Sequence, residues 1–251
     1  MAALSGKTIL VTRASDQARE LRERLAALGA NVYEVPTLVI VPVRGDELMA
    51  LDAALRELCA GAFDAVLVTS ANSVVFVCER AVQLGLWERA QGARFYAVGP
   101  ATAQALVARG VVAPILADEA IGESLVRKVT ETLGESLTGK RLLLPRAREG
   151  RRELVTELAA HGARLDVVTV YDTVPVTGGP GLPTTPADWV TFASPSAVKA
   201  FVGRFGRPLA KVACIGPVTA KAAESLGLVV AAMARDHTSA GLVEAIVAAQ
   251  G

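Results

Sequence analysis

Several residue types that often carry catalytic chemistry are scarce in this sequence. Its 251 residues include three cysteines and two histidines, and aromatic residues make up 4%. Cys59, Cys78 and Cys214 stand far apart, without the spacing of a metal site or a disulfide framework, so we interpret them as buried thiols in a reducing compartment. His161 and His237 are interpreted as structural residues. The sequence therefore offers no metal cluster and no Cys–His nucleophile.

Neither sign of charge is in excess, and no apolar run is long enough to span a membrane. The 26 basic and 25 acidic residues give a net charge of +1, which argues against nucleic acid or a membrane as a partner. The longest uncharged runs, residues 65–78 and 95–108, fall short of the ~20 apolar residues of a membrane helix. Lys7 is followed by a short strand and then by charged residues, unlike a signal peptide. We therefore expect a cytoplasmic protein.

What the sequence does contain is a regular alternation of buried strands and amphipathic helices. Hydrophobic residues are 52% and charged residues 20% of the chain, as in an ordered globular protein. The alternation predicts an α/β fold with parallel sheets. The predicted strands are 8–11, 31–35, 65–68, 95–98, 114–116, 141–144, 165–171, 189–192 and 212–215. The predicted helices are 16–28, 46–58, 72–81, 121–133, 150–160, 196–205 and 240–249, with a further helix after each Gly-Pro pair described next.

A Gly-Pro-x-Thr stretch occurs twice, at residues 98–103 and 215–220. Each copy follows an apolar run and precedes an amphipathic segment, which indicates a strand, a tight turn and a helix with proline in its first turn. Such a helix start presents free backbone N–H groups and the positive end of the helix dipole. These two turns are therefore candidate positions for binding a carboxylate or a phosphate.

Two longer segments are also repeated, in the order A–B–A′–B′. Segment A (8–35) matches A′ (141–168), and residues 66–74 of segment B match residues 190–198 of B′. The chain therefore contains two similar domains, which either pair A with B and A′ with B′, or pair A with B′ and B with A′. We favour the second pairing because the proline-flanked residues 37–43 resemble a connecting strand. Domain 1 is then 1–37 with 173–251, domain 2 is 43–168, and 38–42 and 169–172 are linker strands.

The residues that follow the predicted strands are candidates for ligand binding, because ligands of open parallel sheets bind beyond the carboxyl ends of the strands. The serines and Asn72 are also good helix N-caps, and capping alone would explain their presence. Arg13 and Arg146 follow buried strands, where a charge must reach solvent or an anion. Arg148, Arg151 and Arg152 are either solvated or at the rim of such a site. The candidate set is Arg13, Ser70, Ala71, Asn72, Thr102, Arg146, Ser194, Pro195, Ser196 and Thr219.

Together these segments resemble the uroporphyrinogen-III synthase family over essentially the whole chain. The motifs that carry the resemblance are VTRA…LGA, VTSANSV, AVGPATA, LLLPRA…GRREL…GA, VVTVYDTV, FASPSAV, CIGPVTA and HTSAGLVEAI. The resemblance implies two Rossmann-like (flavodoxin-like) domains joined by a two-stranded linker, which agrees with the second pairing. Ala71 is a departure, since some members have proline after the serine.

The resemblance also implies a cofactor-independent lyase of haem biosynthesis. The enzyme would cyclise hydroxymethylbilane to uroporphyrinogen III, losing water and inverting ring D through a spiro intermediate. Tyr171 aligns with the tyrosine of the family's TVY motif and is the one catalytic candidate, as a hydrogen-bond donor to the leaving oxygen. The serines, threonines and Asn72 of the candidate set become substrate contacts. The resemblance further implies a monomer and allows a transient contact with hydroxymethylbilane synthase.

Two other functions fit parts of the sequence. A non-catalytic sensor that closes on a tetrapyrrole or another small polyanion would also need no nucleophile and no metal. It is disfavoured because the two domains use the whole length and leave no output segment. A nucleotide- or sugar-dependent transferase is disfavoured because no phosphate-binding loop is present.

Overall fold

The computed structural model describes residues 2–13, 15–150, 152–179 and 181–250. They form two compact units, Met1–Ile40 with Val174–Gly251 (unit 1) and Val41–Thr173 (unit 2). The elements in chain order are β1 (Thr8–Val11), α1 (Ser15–Ala27), β2 (Asn31–Glu34), β3 (Leu38–Pro42), α2 (Asp46–Cys59), β4 (Ala65–Val68), α3 (Ala71–Gln83), α4 (Trp87–Ala90), β5 (Phe95–Ala97), α5 (Pro100–Val107), β6 (Ile115–Leu116), α6 (Gly122–Leu133), β7 (Arg141–Ala147), α7 (Glu153–Ala160), β8 (Arg164–Pro175), β9 (Trp189–Phe192), α8 (Pro195–Phe205), β10 (Lys211–Cys214), α9 (Pro217–Ser225), β11 (Val230–Met233) and α10 (Ser239–Ala248).

Unit 1 is built on a five-stranded sheet in the order β11-β10-β9-β1-β2, with every pair parallel. Alternate residues of β1 face opposite layers, as expected of a strand that is buried on both sides. Ile9 and Val11 pack with the apolar residues of α1 and α10, whereas Leu10 packs with those of α8 and α9. Unit 1 therefore has three layers, with a core on each face of the sheet.

Unit 2 has a six-stranded sheet in the order β3-β8-β7-β4-β5-β6. The strands from β8 to β6 are parallel. One face packs on α6 and α7 through Leu67, Leu142 and Leu144 among others. The five parallel strands β6-β5-β4-β7-β8 repeat the order of unit 1, so each unit combines one A segment with one B segment. The predicted α/β class with parallel sheets is confirmed.

Strands β3 and β8 carry the chain from one unit to the other. The unit changes between Ile40 and Val41 within β3, and again between Thr173 and Val174 within β8. Val43 N donates to Val170 O at 3.4 Å, and Val176 N donates to Thr37 O at 2.9 Å. Partner numbers fall along β8 as they rise along β3, so these two strands run antiparallel.

The same aspartate contact joins the A and B segments of each unit. In unit 1, Asp188 before β9 accepts from Thr8 N at 2.8 Å and from Lys7 Nζ at 3.0 Å. In unit 2, Asp64 before β4 accepts from Arg141 N at 2.9 Å and from Lys140 Nζ at 3.1 Å. The backbone N–H, followed by the lysine, lowers the pKa of each carboxyl group. Each aspartate holds the amino ends of two neighbouring strands together.

Three local expectations were incomplete. Strand β11 and the four-residue helix α4 are additional to the predicted elements, because the first is rich in alanine and the second is too short to show a period. Strand β7 extends to Ala147, so Arg146 lies within a strand and not after it. Arg151 lies outside the described residues.

Among the residues that the structure describes, no helix combines the length and apolar composition that a membrane span needs.

Candidate functional site

In unit 2, the phenol of Tyr171 lies at the start of α3. Ser70 is the N-cap of this helix, and its Oγ accepts from Ser73 N at 3.1 Å. The same Oγ lies 3.2 Å from the Tyr171 hydroxyl and 3.0 Å from Ser73 Oγ. A hydrogen bond therefore connects the only predicted catalytic residue to one of the predicted binding residues, although they are 101 positions apart in sequence.

The ring of Tyr171 is also held in place, by an aromatic stack. It stacks on Phe76 of α3 with the ring centroids 5.5 Å apart and an interplanar angle of 26°. Tyr171 is 7% exposed, so little of the ring contacts solvent. Because the stack and the hydrogen bond both come from α3, the phenol has a defined orientation before any ligand binds.

The other predicted residues of unit 2 stand at two helix starts. Ala71 and Asn72 are the first two residues of α3, and both are half-buried. Gly99 is the N-cap of α5, with Pro100 as its first residue and Thr102 as its third. Thr102 is 4% exposed. Its hydroxyl has no hydrogen-bond partner among the described residues, so it does not serve as the backbone cap that a threonine can supply.

Two arginines of unit 2 follow different patterns. Arg146 lies alongside Gly150, where an added Cβ would be 2.8 Å from Arg146 Cδ. Arg148 is exposed and binds Glu47 through both terminal nitrogens at 2.6 Å, while its Nε binds Asp172 at 2.6 Å. These carboxylates, Glu47 first, raise the pKa of the Arg148 guanidinium. Arg148 therefore forms ion pairs with Glu47 and Asp172 while half of its side chain stays exposed.

In unit 1, the predicted residues again stand at helix starts. Ser194 is the N-cap of α8 and its Oγ accepts from Ala197 N at 3.2 Å, so the capping role is confirmed. Pro195 and the exposed Ser196 are the first two residues of this helix. Arg13 is half-buried and lies two residues after the end of β1.

A residue that sequence reasoning treated as structural lies at the second Gly-Pro turn. Gly216 is the N-cap of α9, and Thr219, its third residue, is 3% exposed. The ring of His237 lies against Gly216, where an added Cβ would be 2.8 Å from both Cδ2 and Nε2. The sequence did contain a signal, because His237 lies 117 residues after Ala120, which is also the spacing between Gly99 and Gly216.

Comparison with known proteins identifies the family. The family model described as uroporphyrinogen-III synthase HemD matches residues 19–244. A uroporphyrinogen-III synthase from Synechococcus elongatus is 34% identical over 97% of this chain and 95% of its own length. The chain belongs to the uroporphyrinogen-III synthase family. Another synthase, from Chlorobaculum parvum, is 28% identical over 88% of this chain and 90% of its own.

Solved structures of uroporphyrinogen-III synthases share this fold. The enzyme of Helicobacter pylori is 17% identical, with a TM-score of 0.66 over 96% of this chain and 99% of its own. A mutant of the Thermus thermophilus enzyme is 17% identical, with a TM-score of 0.61 over 98% and 99%. The family's enzymes are cyclising lyases of porphyrin and haem biosynthesis, and this assignment favours the synthase function over the sensor.

In this member of the family, the predicted site residues fall into two groups, one in each unit. Unit 2 brings Ser70 and Tyr171 into direct contact and places Ala71 and Asn72 beside them on α3. Unit 1 places Ser194, Pro195 and Ser196 at the start of α8 and Thr219 at the start of α9. Phe76 and His237 are additions, because neither residue type nor local motif marked them as functional.

Proposed function

We propose that this protein converts hydroxymethylbilane to uroporphyrinogen III. The observation that carries the proposal is the phenol of Tyr171, oriented by Ser70 and Phe76 at the start of α3. A hydrogen-bond donor with a fixed direction is suited to assisting the departure of the substrate's hydroxyl group. Family membership supports the same reaction.

The reaction loses one water molecule. The C–O bond of the hydroxymethyl group breaks as the adjacent pyrrole nitrogen gives up its proton and supplies the electrons. The oxygen leaves with one proton as water, and the substrate becomes an azafulvene. The substituted α-carbon of ring D then forms a bond to the freed carbon and gives a spiro intermediate. That intermediate fragments at the bond that originally joined ring D to its neighbouring pyrrole, and it closes again through the other α-carbon of ring D. The proton lost from that carbon is balanced by the proton that returns to the pyrrole nitrogen, so the overall change is the loss of one water.

Tyr171 is proposed to donate a hydrogen bond to the leaving oxygen. A phenol is a weak acid at neutral pH, so stabilising the charge that develops on this oxygen is a more suitable role than complete proton transfer. Ser70 Oγ can accept from Tyr171 and release it when the substrate oxygen arrives. Ser70 and Phe76 are then positioning residues for the phenol.

The remaining site residues are proposed to bind the acetate and propionate groups of the substrate. The N-termini of α3 and α5 in unit 2 offer N–H groups to carboxylates, as do those of α8 and α9 in unit 1. Ser70, Ala71, Asn72 and Thr102 would act in unit 2, and Ser194, Pro195, Ser196 and Thr219 in unit 1. Arg13 and Arg146 would add charge at these two edges. Holding the flexible chain folded favours one ring closure over the other.

We further propose a cofactor-independent cytoplasmic monomer with linker strands 38–42 and 169–172 between domain 1 (1–37 and 173–251) and domain 2 (43–168). Hydroxymethylbilane closes unaided to isomer I. A transient contact with hydroxymethylbilane synthase would therefore shorten the time for which the substrate is free.

The test is the isomer composition of the product. Hydroxymethylbilane is incubated with and without the protein, and the oxidised products are separated into isomers I and III. We expect mainly isomer III with the protein and isomer I without it. Isomer I alone, formed at the uncatalysed rate in both reactions, would contradict the proposal.

A further inference from the structure

The two Gly-Pro turns differ in the side chain that contacts their glycine. Ile121 and Thr238 are the N-caps of α6 and α10, and the residue before each lies against the corresponding glycine. In unit 2 this residue is Ala120, whose Cβ would be 3.3 Å from a Cβ at Gly99. In unit 1 it is His237, whose ring lies against Gly216.

The backbone around the two residues is the same. Ile121 N donates to Glu119 O at 2.8 Å, and Thr238 N donates to Asp236 O at 2.7 Å. The 117-residue spacing is kept without a gap from the Gly-Pro turns to these helix starts. The imidazole is therefore an addition of unit 1 to a turn that both units share, and it is not needed to form that turn.

The helix start beside His237 contains unused donors. Ala220 N donates to Gly216 O at 3.0 Å, and the N–H groups of Val218 and Thr219 precede this first intrahelical bond. Thr219 is 3% exposed, and side chains on a helix point back towards its N-terminus. In the described part of the chain, the Thr219 hydroxyl has no hydrogen-bond partner. This hydroxyl can therefore donate a hydrogen bond to a ligand at the helix start.

We propose that His237 and the start of α9 form a binding position for one carboxylate of the substrate, with the imidazole as a side-chain donor that unit 2 lacks. An imidazole has at least one N–H in either protonation state, so it can donate to a carboxylate when neutral and adds charge when protonated. Because Ala120 offers only a methyl group, the two turns bind carboxylates unequally. The inference rests on the proposed function.

The test compares His237→Ala, which reproduces the unit 2 turn, with His161→Ala. His161 is exposed at the C-cap of α7. Steady-state kinetics with hydroxymethylbilane give KM and kcat, and thermal unfolding monitors the fold. We expect His237→Ala to raise KM roughly 10- to 100-fold, as the loss of a hydrogen bond to a charged group does. We expect kcat to stay within about twofold because the imidazole does not contact the reacting atoms.

Two further results separate binding from structure. His237→Gln keeps an N–H donor, and we expect it to recover part of the lost affinity, whereas His161→Ala should leave KM unchanged. An unchanged KM in His237→Ala, or an equal rise in His161→Ala, would overturn the inference. These results require a wild-type protein that makes isomer III, so absence of isomer III from the wild type would instead reject the proposed function.

Discussion

Replacing Tyr171 with phenylalanine tests the proposed mechanism most directly, because it removes one oxygen and keeps the ring. The stack on Phe76 does not involve the hydroxyl and is retained. Ser70 Oγ keeps its bond from Ser73 N and so still caps α3. The change therefore removes the donor while leaving the surrounding packing in place.

Tyr96→Phe is the matched control. Tyr96 is a fully buried residue of β5, and its hydroxyl is hydrogen bonded to Thr132 of α6. Each substitution removes one neutral hydrogen bond, so each should lower the free energy of unfolding by about 1 kcal/mol. The two variants should therefore have similar stability in urea titrations and differ only in their distance from the proposed chemistry.

The expected kinetic effect is large compared with the effect on stability. A hydrogen-bonding or proton-donating group commonly contributes roughly 10²-fold or more to a rate, so we expect kcat of Tyr171→Phe to fall about 100-fold. Tyr96→Phe should retain a kcat within about twofold of the wild type, because its effect of about 1 kcal/mol is on folding alone. The rate at which isomer III forms, measured in quenched assays, gives kcat for each variant. Equal kcat values for the two variants would refute the role of Tyr171.

Two further predictions concern Arg146 and the paired aspartates. Gly150→Ala places a Cβ 2.8 Å from Arg146 Cδ and should raise KM by moving this side chain. Gly203→Ala is the control, because it adds a Cβ where no atom lies within 4 Å. Equal KM values for the two variants in kinetic assays would remove Arg146 from the binding site. The lowered pKa values of Asp64 and Asp188 stabilise the folded state above the ordinary carboxyl pKa of ~3.9, and this stabilisation is lost as pH falls through the lower folded values. Asp64→Asn and Asp188→Asn should therefore be less stable than the wild type at neutral pH and lose less stability on acidification. Thermal unfolding between pH 7 and pH 3 measures both effects. Stability curves of variant and wild type that run parallel with pH would contradict this linkage.

The sequence determined the order of strands and helices because that order is written in local patterns. Buried runs such as Ala65–Val68 and helix starts such as Gly216-Pro217 need only a few adjacent residues to be recognised. The repeated segments also indicated two similar folding units, because segments with the same pattern of apolar residues and turns form the same elements. Where local patterns were weak, as in the alanine-rich β11, the prediction failed.

The tertiary structure decided which of the candidate residues meet. Ser70 and Tyr171 come from segments 101 positions apart. They meet because Ser70 follows β4 and Tyr171 lies in β8, and the sheet separates these two strands by β7 alone. Phe76 became a support for the phenol, and His237 became a neighbour of Gly216, through packing that no local pattern encodes. Residue type and spacing determine which helices and strands form. The arrangement of a site depends on which of these elements pack together, and their packing is determined by the burial of apolar surface across the whole unit.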